Sequence, residues 1–185
     1  MRDTPFKSVS HALSEAYKWQ AIFPVEISSI YRDLRGGTVR LAVNEMSVHD
    51  HKAQSALTLN LISRVLDQEG QEIINLKYIV PTTMSLAGDK ELNARLIGER
   101  LYQRMHRAEK WFLVDCAREW GGLPNLRTIS EWAKELGRDE STLRTWRNGR
   151  PSKYLLGAFE LMDDMLRRAK SELGDPMREA GLIPP

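Results

Sequence analysis

The sequence predicts an all-α fold, a multi-helix bundle. Three observations predict it. Apolar residues recur at three- and four-residue spacing through most of the chain. Strand-like alternation is confined to one short stretch, "TVRLAV" at 38–43. Between Thr128 and Gly149, two short amphipathic segments flank a glycine at the spacing of a tight helical corner. The third observation adds a C-terminal helix-turn-helix to the bundle.

A chain of 185 residues makes one domain or two small ones. Its hydrophobic fraction is ordinary, which supports a packed core and excludes wholesale disorder. No apolar run is long enough for a membrane span. The stretch "MRDTPFKSVSHALSEAYKW" carries charges through its apolar part and has no small-residue cleavage site, so the reading excludes a secretory signal. Cys116 is the one cysteine, so no intrachain disulfide forms, and a reducing cytoplasm is the expected compartment. The net charge is only +2, but it is unevenly spread. Residues 1–80 hold nine bases and nine acids, 121–153 hold seven and four, and 154–185 hold four and six. Positive charge therefore gathers around 121–153, a small asymmetry that is compatible with nucleic-acid contact.

The elements follow in order. "SVSHALSEAYKW" predicts a helix with Ser8 as N-cap and Val9, Leu13, Ala16 and Tyr17 on its apolar face. An irregular region follows, broken at Gly36-Gly37. "SVHDHKAQSALTLNLISRVLDQ" predicts an amphipathic helix with Ala53, Leu57, Leu61 and Val65 inward, beside Ile62 and Leu66. Gly70 is expected to separate it from "QEIINLKYIV", and "VPTTMSLAGD" to connect onward. Residues 89–120 predict one long helix, with Leu92, Leu96, Leu101, Met105, Phe112 and Cys116 at its apolar positions, stopped by "GGLPN". Short helices are expected from Thr128 to Leu136 and from Glu140 to Arg147. A last helix starts near Ser152. Four segments result: 1–88, helical and without an assigned role; 89–120, the long connecting helix; 121–173, the helix-turn-helix domain; and 174–185, a tail with little to hold it unless it docks.

The stretch "TISEWAKELGRDESTLRTWRNG" meets the steric needs of a helix-turn-helix. Ala133 gives a small residue where the helices touch. Gly137, four residues on, suits the positive φ of the turn. Trp132 and Leu136 close the wedge from one side, Leu143 and Trp146 from the other. Asp139 is placed to cap the second helix through the N–H groups of Ser141 or Thr142. With these offsets in register, the segment closely resembles the helix-turn-helix of the Cro/repressor superfamily of phage and bacterial regulators. "TLRTWRNGRPSKYLLGAFELM" extends the likeness through a recognition helix, an Asn-Gly turn, a Pro-Ser helix start and a leucine-rich helix; "LVDCAREWGG" matches as a first helix. The resemblance covers Phe112 to Leu173. The sequence departs from it at Arg138, where an aliphatic residue is usual, and at Ile129-Ser130, where a glutamine often opens the first motif helix.

What the resemblance implies can be read physically. With Leu143 and Trp146 inward, Glu140, Ser141, Thr142, Arg144, Thr145 and Asn148 face outward as candidate base contacts. Arg144 suits the O6 and N7 of guanine, Glu140 a cytosine amino group, and Thr142 or Thr145 a thymine methyl. Arg138, Arg147, Arg150, Ser152 and Lys153 are candidate phosphate contacts. The tryptophans are expected in the core. Arg100, Arg104 and Arg107 share one face of the long helix, either as a solvated face laced with Glu99 and Glu109 or as a second phosphate stripe.

Other chemistry is thin. His49 and His51 lie at i and i+2 and point apart on a helix, so no metal site is expected. Cys116 sits among Leu113, Val114 and Ala117 and reads as a buried hydrophobe. No phosphate-binding glycine loop, nucleophile elbow or carboxylate pair occurs, so neither a catalytic residue nor a cofactor is expected. "RGG" at Arg35 reads as a turn. Leu155, Phe159, Met162, Leu166, Ala169 and Leu173 form a heptad-like seam, which packs on the motif in its first half and can pair two chains in its second. "LISRVLDQEGQEIINLKYIV" also resembles the helix pair preceding the DNA-binding helices of sigma-factor-like phage activators and late antiterminators. The expected function is a cytoplasmic, non-enzymatic, sequence-specific transcription regulator of phage or prophage origin, a homodimer on double-stranded DNA. The alternatives are a small terminase subunit that binds viral DNA as a ring and an adaptor that binds RNA polymerase.

Overall fold

The computed structural model describes residues 4–22, 47–150 and 155–185. Among these residues the chain forms eight helices and no strand: α1 Val9–Ile22, α2 Val48–Val65, α3 Gln68–Tyr78, α4 Met84–Arg104, α5 Lys110–Trp120, α6 Ile129–Leu136, α7 Glu140–Asn148 and α8 Ala158–Glu179. The predicted all-α bundle is what forms. The strand-like "TVRLAV", the Gly36-Gly37 break and the turn at Arg35 lie outside the described residues.

Local capping sets most helix starts. The His11 N–H donates to Ser8 Oγ at 3.2 Å, as expected of an N-cap. Ser47 and Asp50 form a reciprocal capping box at the start of α2. Asp67, not Gly70, punctuates the next boundary. Its carboxylate accepts from the Gly70 N–H at 2.7 Å, so the glycine sits inside the first turn of α3. Thr83 caps α4, which begins five residues before the predicted start at 89.

The single long helix predicted over 89–120 is two helices. The chain turns at residues 105–109 and α5 packs back along α4. Glu91 pairs with Arg118 and Glu99 with Lys110, so the two run antiparallel. A Cβ on Gly98 would lie 2.6 Å from Val114 Cα, so the backbones approach as only glycine permits. One straight helix would leave Ala94, Ile97 and Leu101 without Phe112, Leu113 and Ala117 to pack on.

One hydrophobic cluster takes side chains from all eight helices, among them Leu13, Ile62, Ile73, Ile97, Leu113, Trp132, Leu143 and Met162. In α2 the inward face is turned from the predicted one. Ser55, Ala56, Thr58 and Ile62 are buried, while Ala53, Leu57, Leu61 and Val65 are only partly so. α8 begins at Ala158, six residues after the predicted Ser152, and runs to Glu179. Its seam residues Met162, Leu166, Ala169 and Leu173 are buried against α3, α2, α5 and α1 of the same chain, so the distal half of the seam is not a free face for a second copy. Leu155 lies before the helix and is exposed. The tail docks: Leu182 and Ile183 are buried, and the Phe6 N–H donates to the Leu182 carbonyl at 3.0 Å.

Candidate nucleic-acid interface

The helical pair α6–α7 is built from short-range signals. Thr128 and Glu131 cap α6 reciprocally, with the Thr128 N–H donating to Glu131 Oε2 at 2.7 Å. These hydrogen bonds hold the Glu131 carboxyl below the ordinary range. Gly137 closes α6 at φ 59°, ψ 36°, the left-handed conformation that any side chain resists. Asp139 sits at the N-cap of α7 with extended backbone, but its carboxylate makes no capping bond. The expected bonds to Ser141 or Thr142 are replaced by backbone ones, from the Thr142 and Leu143 N–H groups to the Asp139 carbonyl.

Trp132 and Leu143 are buried, and Ala133, Leu136 and Trp146 pack partly buried against them. Phe112 of α5 meets Trp132 edge-on and Trp146 at a tilt, both at 6.1 Å between centroids. The tryptophans thus belong to the core.

Asp115 carries no signal in the sequence, yet it fixes this pair to the bundle. It is buried on α5 and accepts three hydrogen bonds: Leu126 N–H at 2.7 Å, Arg127 N–H at 3.2 Å and Trp132 Nε1 at 2.7 Å. Arg118 beside it donates to the Pro124 carbonyl and pairs with Glu91. A single α5 carboxylate and its neighbouring arginine therefore hold the loop into α6 and the first wedge tryptophan. An isolated Asp amid "LVDCAREW" gives no hint of this, because its donors come from residues 11 to 17 positions away.

The predicted contact residues separate by their environment. Glu140, Ser141, Arg144 and Asn148 are exposed and share the outer stripe of α7. Arg144 reaches back to Glu140 at 3.2 Å. Thr142 and Thr145 are partly buried at the edges of that stripe, and Thr145 Oγ1 donates to the Ser141 carbonyl at 2.8 Å. Arg147 turns inward. It donates to both oxygens of Glu119 at 3.1 Å and lies over the Phe159 ring, so in this structure it holds α7 to α5 and α8 and is not presented to a phosphate. Arg138 and Arg150 are exposed, whereas Ser152 and Lys153 lie outside the described residues.

The Asn-Gly turn after α7 is packed against the start of α8. Arg150 and Leu155 exchange backbone hydrogen bonds. A Cβ on Gly157 would stand 2.1 Å from the Gly149 amide nitrogen, so these two glycines must both stay bare.

Comparison with known protein families, curated proteins and solved structures finds no match for this chain. The remaining candidates resolve on contacts. Arg100 and Arg104 do not form a free stripe: they pair with Glu72 and Glu69 of α3. Glu99 pairs instead with Lys110 and Arg95. His51 stacks on Trp19 at 4.6 Å between centroids, and no cluster of metal-ligating side chains occurs among the described residues. Burial, reinforced by the Glu119 charge, pushes the Cys116 thiol up. No described helix is long and apolar enough to cross a membrane.

Proposed function

We propose that this chain is a sequence-specific DNA-binding transcription regulator that works in the cytoplasm by binding and not by catalysis, with α7 as its recognition helix. The observation that carries the reading is the two-sided character of α7. Its back is fixed by Leu143 and the Arg147–Glu119 pair, and its front presents Glu140, Ser141, Arg144 and Asn148 to solvent. A helix that enters a major groove needs this combination of rigid support and polar, donor-bearing front. The phage or prophage origin rests on the likeness of the α5–α8 residues to Cro/repressor proteins alone. Two-fold pairing belongs to the proposal, because one helix reads few base pairs. It uses a surface other than the α8 seam, which is spent inside the chain.

Selection of bound duplexes from a random pool, with the mass of the complex measured alongside, tests the proposal. It expects an enriched motif with half-sites about one helical turn apart and two protein copies. A ring of many copies would transfer the reading to a packaging subunit. No enrichment would overturn sequence recognition. Within the selected site, Arg144→Ala is expected to cost about 1–3 kcal/mol at one base pair and little on random DNA. Equal losses on both would remove Arg144 from base reading.

A further inference from the structure

The turn between α4 and α5 lies beside α7. Arg107, Arg138, His106, Glu109, Thr142 and Trp146 line a cleft of about 540 Å³ between them. His106 and Arg107 also line a neighbouring cleft of about 390 Å³ that reaches Thr145, so the turn follows α7 for a full helical turn. Arg107 and Arg138 are exposed and make no ion pair with a described residue, unlike Arg100, Arg104, Arg118 and Arg147, each of which pairs with a glutamate. The two guanidiniums come from opposite walls, one from the turn and one from the α6–α7 corner.

We infer that this cleft is a phosphodiester clamp, which holds a backbone strand of the duplex beside the segment that α7 reads. The inference rests on the DNA-binding reading above. It adds a contact from a part of the chain that precedes the helical pair in sequence. Two unpaired guanidinium groups, Arg107 and Arg138, with the Thr142 hydroxyl in the same lining, suit the anionic oxygens of a phosphate and outnumber the one carboxylate, Glu109. Glu109 is the opposing charge. Its carboxylate makes no capping bond at the α5 N-terminus, so it stands in the cleft as a carboxylate that repels the strand.

The clamp is tested on the full chain with the selected duplex and with a random one, over a series of salt concentrations. Arg107→Ala is expected to reduce the slope of log affinity against log salt by about 0.9, and to leave the ratio of specific to random affinity unchanged. Glu109→Gln is expected to raise affinity on both duplexes. Inorganic phosphate at constant ionic strength is expected not to compete. An unchanged slope in Arg107→Ala, or weaker binding by Glu109→Gln, overturns the clamp while DNA binding itself stands. Competition by phosphate alone assigns the cleft to a free anion and also overturns it. Failure of the wild-type chain to bind any duplex refutes the DNA-binding reading on which the clamp rests. Circular dichroism of each variant separates these results from misfolding, and both side chains are exposed on a turn.

Discussion

Replacing Asp115 by Asn tests whether one buried carboxylate anchors the helical pair. The carboxylate takes the Leu126 N–H on Oδ1, and the Arg127 N–H and Trp132 Nε1 on Oδ2. Hydrogen bonds to a charged group contribute about 1.5–3 kcal/mol each. Asparagine keeps one carbonyl oxygen, which can serve Trp132 and Arg127. Its NH2 group must then face the Leu126 N–H, donor against donor. One charge-assisted bond is lost outright, two become neutral ones, and Arg118 loses a carboxylate 3.9 Å away. The sum is a loss of about 3–5 kcal/mol, the range seen when one member of a buried charged set is removed. Trp132→Phe keeps the ring packed on Phe112 and removes one donor, for about 1.5–3 kcal/mol. Because Asp115→Asn weakens the bond that Trp132→Phe removes, the double variant should lose less than their sum.

Urea unfolding followed by far-ultraviolet circular dichroism measures all three, with equal m-values required for the comparison. Losses below about 0.5 kcal/mol in both single variants would refute the anchoring role, since that is the range of an ordinary surface change. So would full additivity, which would mean that Asp115 and Trp132 act apart.

Gly137→Val forces a β-branched residue to φ 59° and is expected to destabilise the chain by about 1–3 kcal/mol; unchanged unfolding would show that the α6–α7 corner can adopt another conformation. Glu131 titrates lower in the folded chain than in the unfolded one, because the Thr128 amide and hydroxyl bond its charged form. The stability it adds is therefore present above the ordinary glutamate range and lost as pH falls through the acid range. Glu131→Gln should show a smaller drop in urea midpoint between pH 7 and pH 3 than the wild type, and an equal drop would refute the cap.

What the sequence shows best is what neighbours in the chain decide. α6 and α7 are legible to within a residue because the Thr128–Glu131 cap and the Gly137 stop act over four positions or fewer. The break at 105–109 was not legible. Helical periodicity continues through "YQRMHRAEKW", and the reversal is decided by Gly98 meeting Val114, 16 positions away. Periodicity likewise shows that Met162, Leu166, Ala169 and Leu173 form an apolar face, without showing what covers it. A second chain and the protein's own α1–α3 satisfy the same pattern. The partner of Arg147 is hidden for a related reason: its spacing on α7 fits a phosphate contact, while Glu119 lies 28 positions upstream on another helix.

The arginines show how the fold selects a surface. An arginine paired with a buried glutamate is not available to DNA, because its departure would strand the acid. Glu72 is 4% exposed, and leaving its charge without Arg100 is expected to cost several kcal/mol, more than a phosphate contact returns. Arg147 is held less tightly but doubly, by Glu119 and by the Phe159 ring. Arg144 differs. Its one partner is Glu140, four residues away on an exposed helix face, and such pairs contribute about 0.3–0.5 kcal/mol. A bidentate contact to a guanine is worth about 1–3 kcal/mol of discrimination, so under the proposed DNA-binding function exchange of Glu140 for a base edge would be favourable. Glu140 is released by the same exchange and can then accept from a cytosine amino group. The Arg144–Glu140 pair thus keeps the outer stripe of α7 ordered and nearly neutral in the free protein. Under the proposed DNA-binding function, it would give way where a base pair offers both side chains a partner.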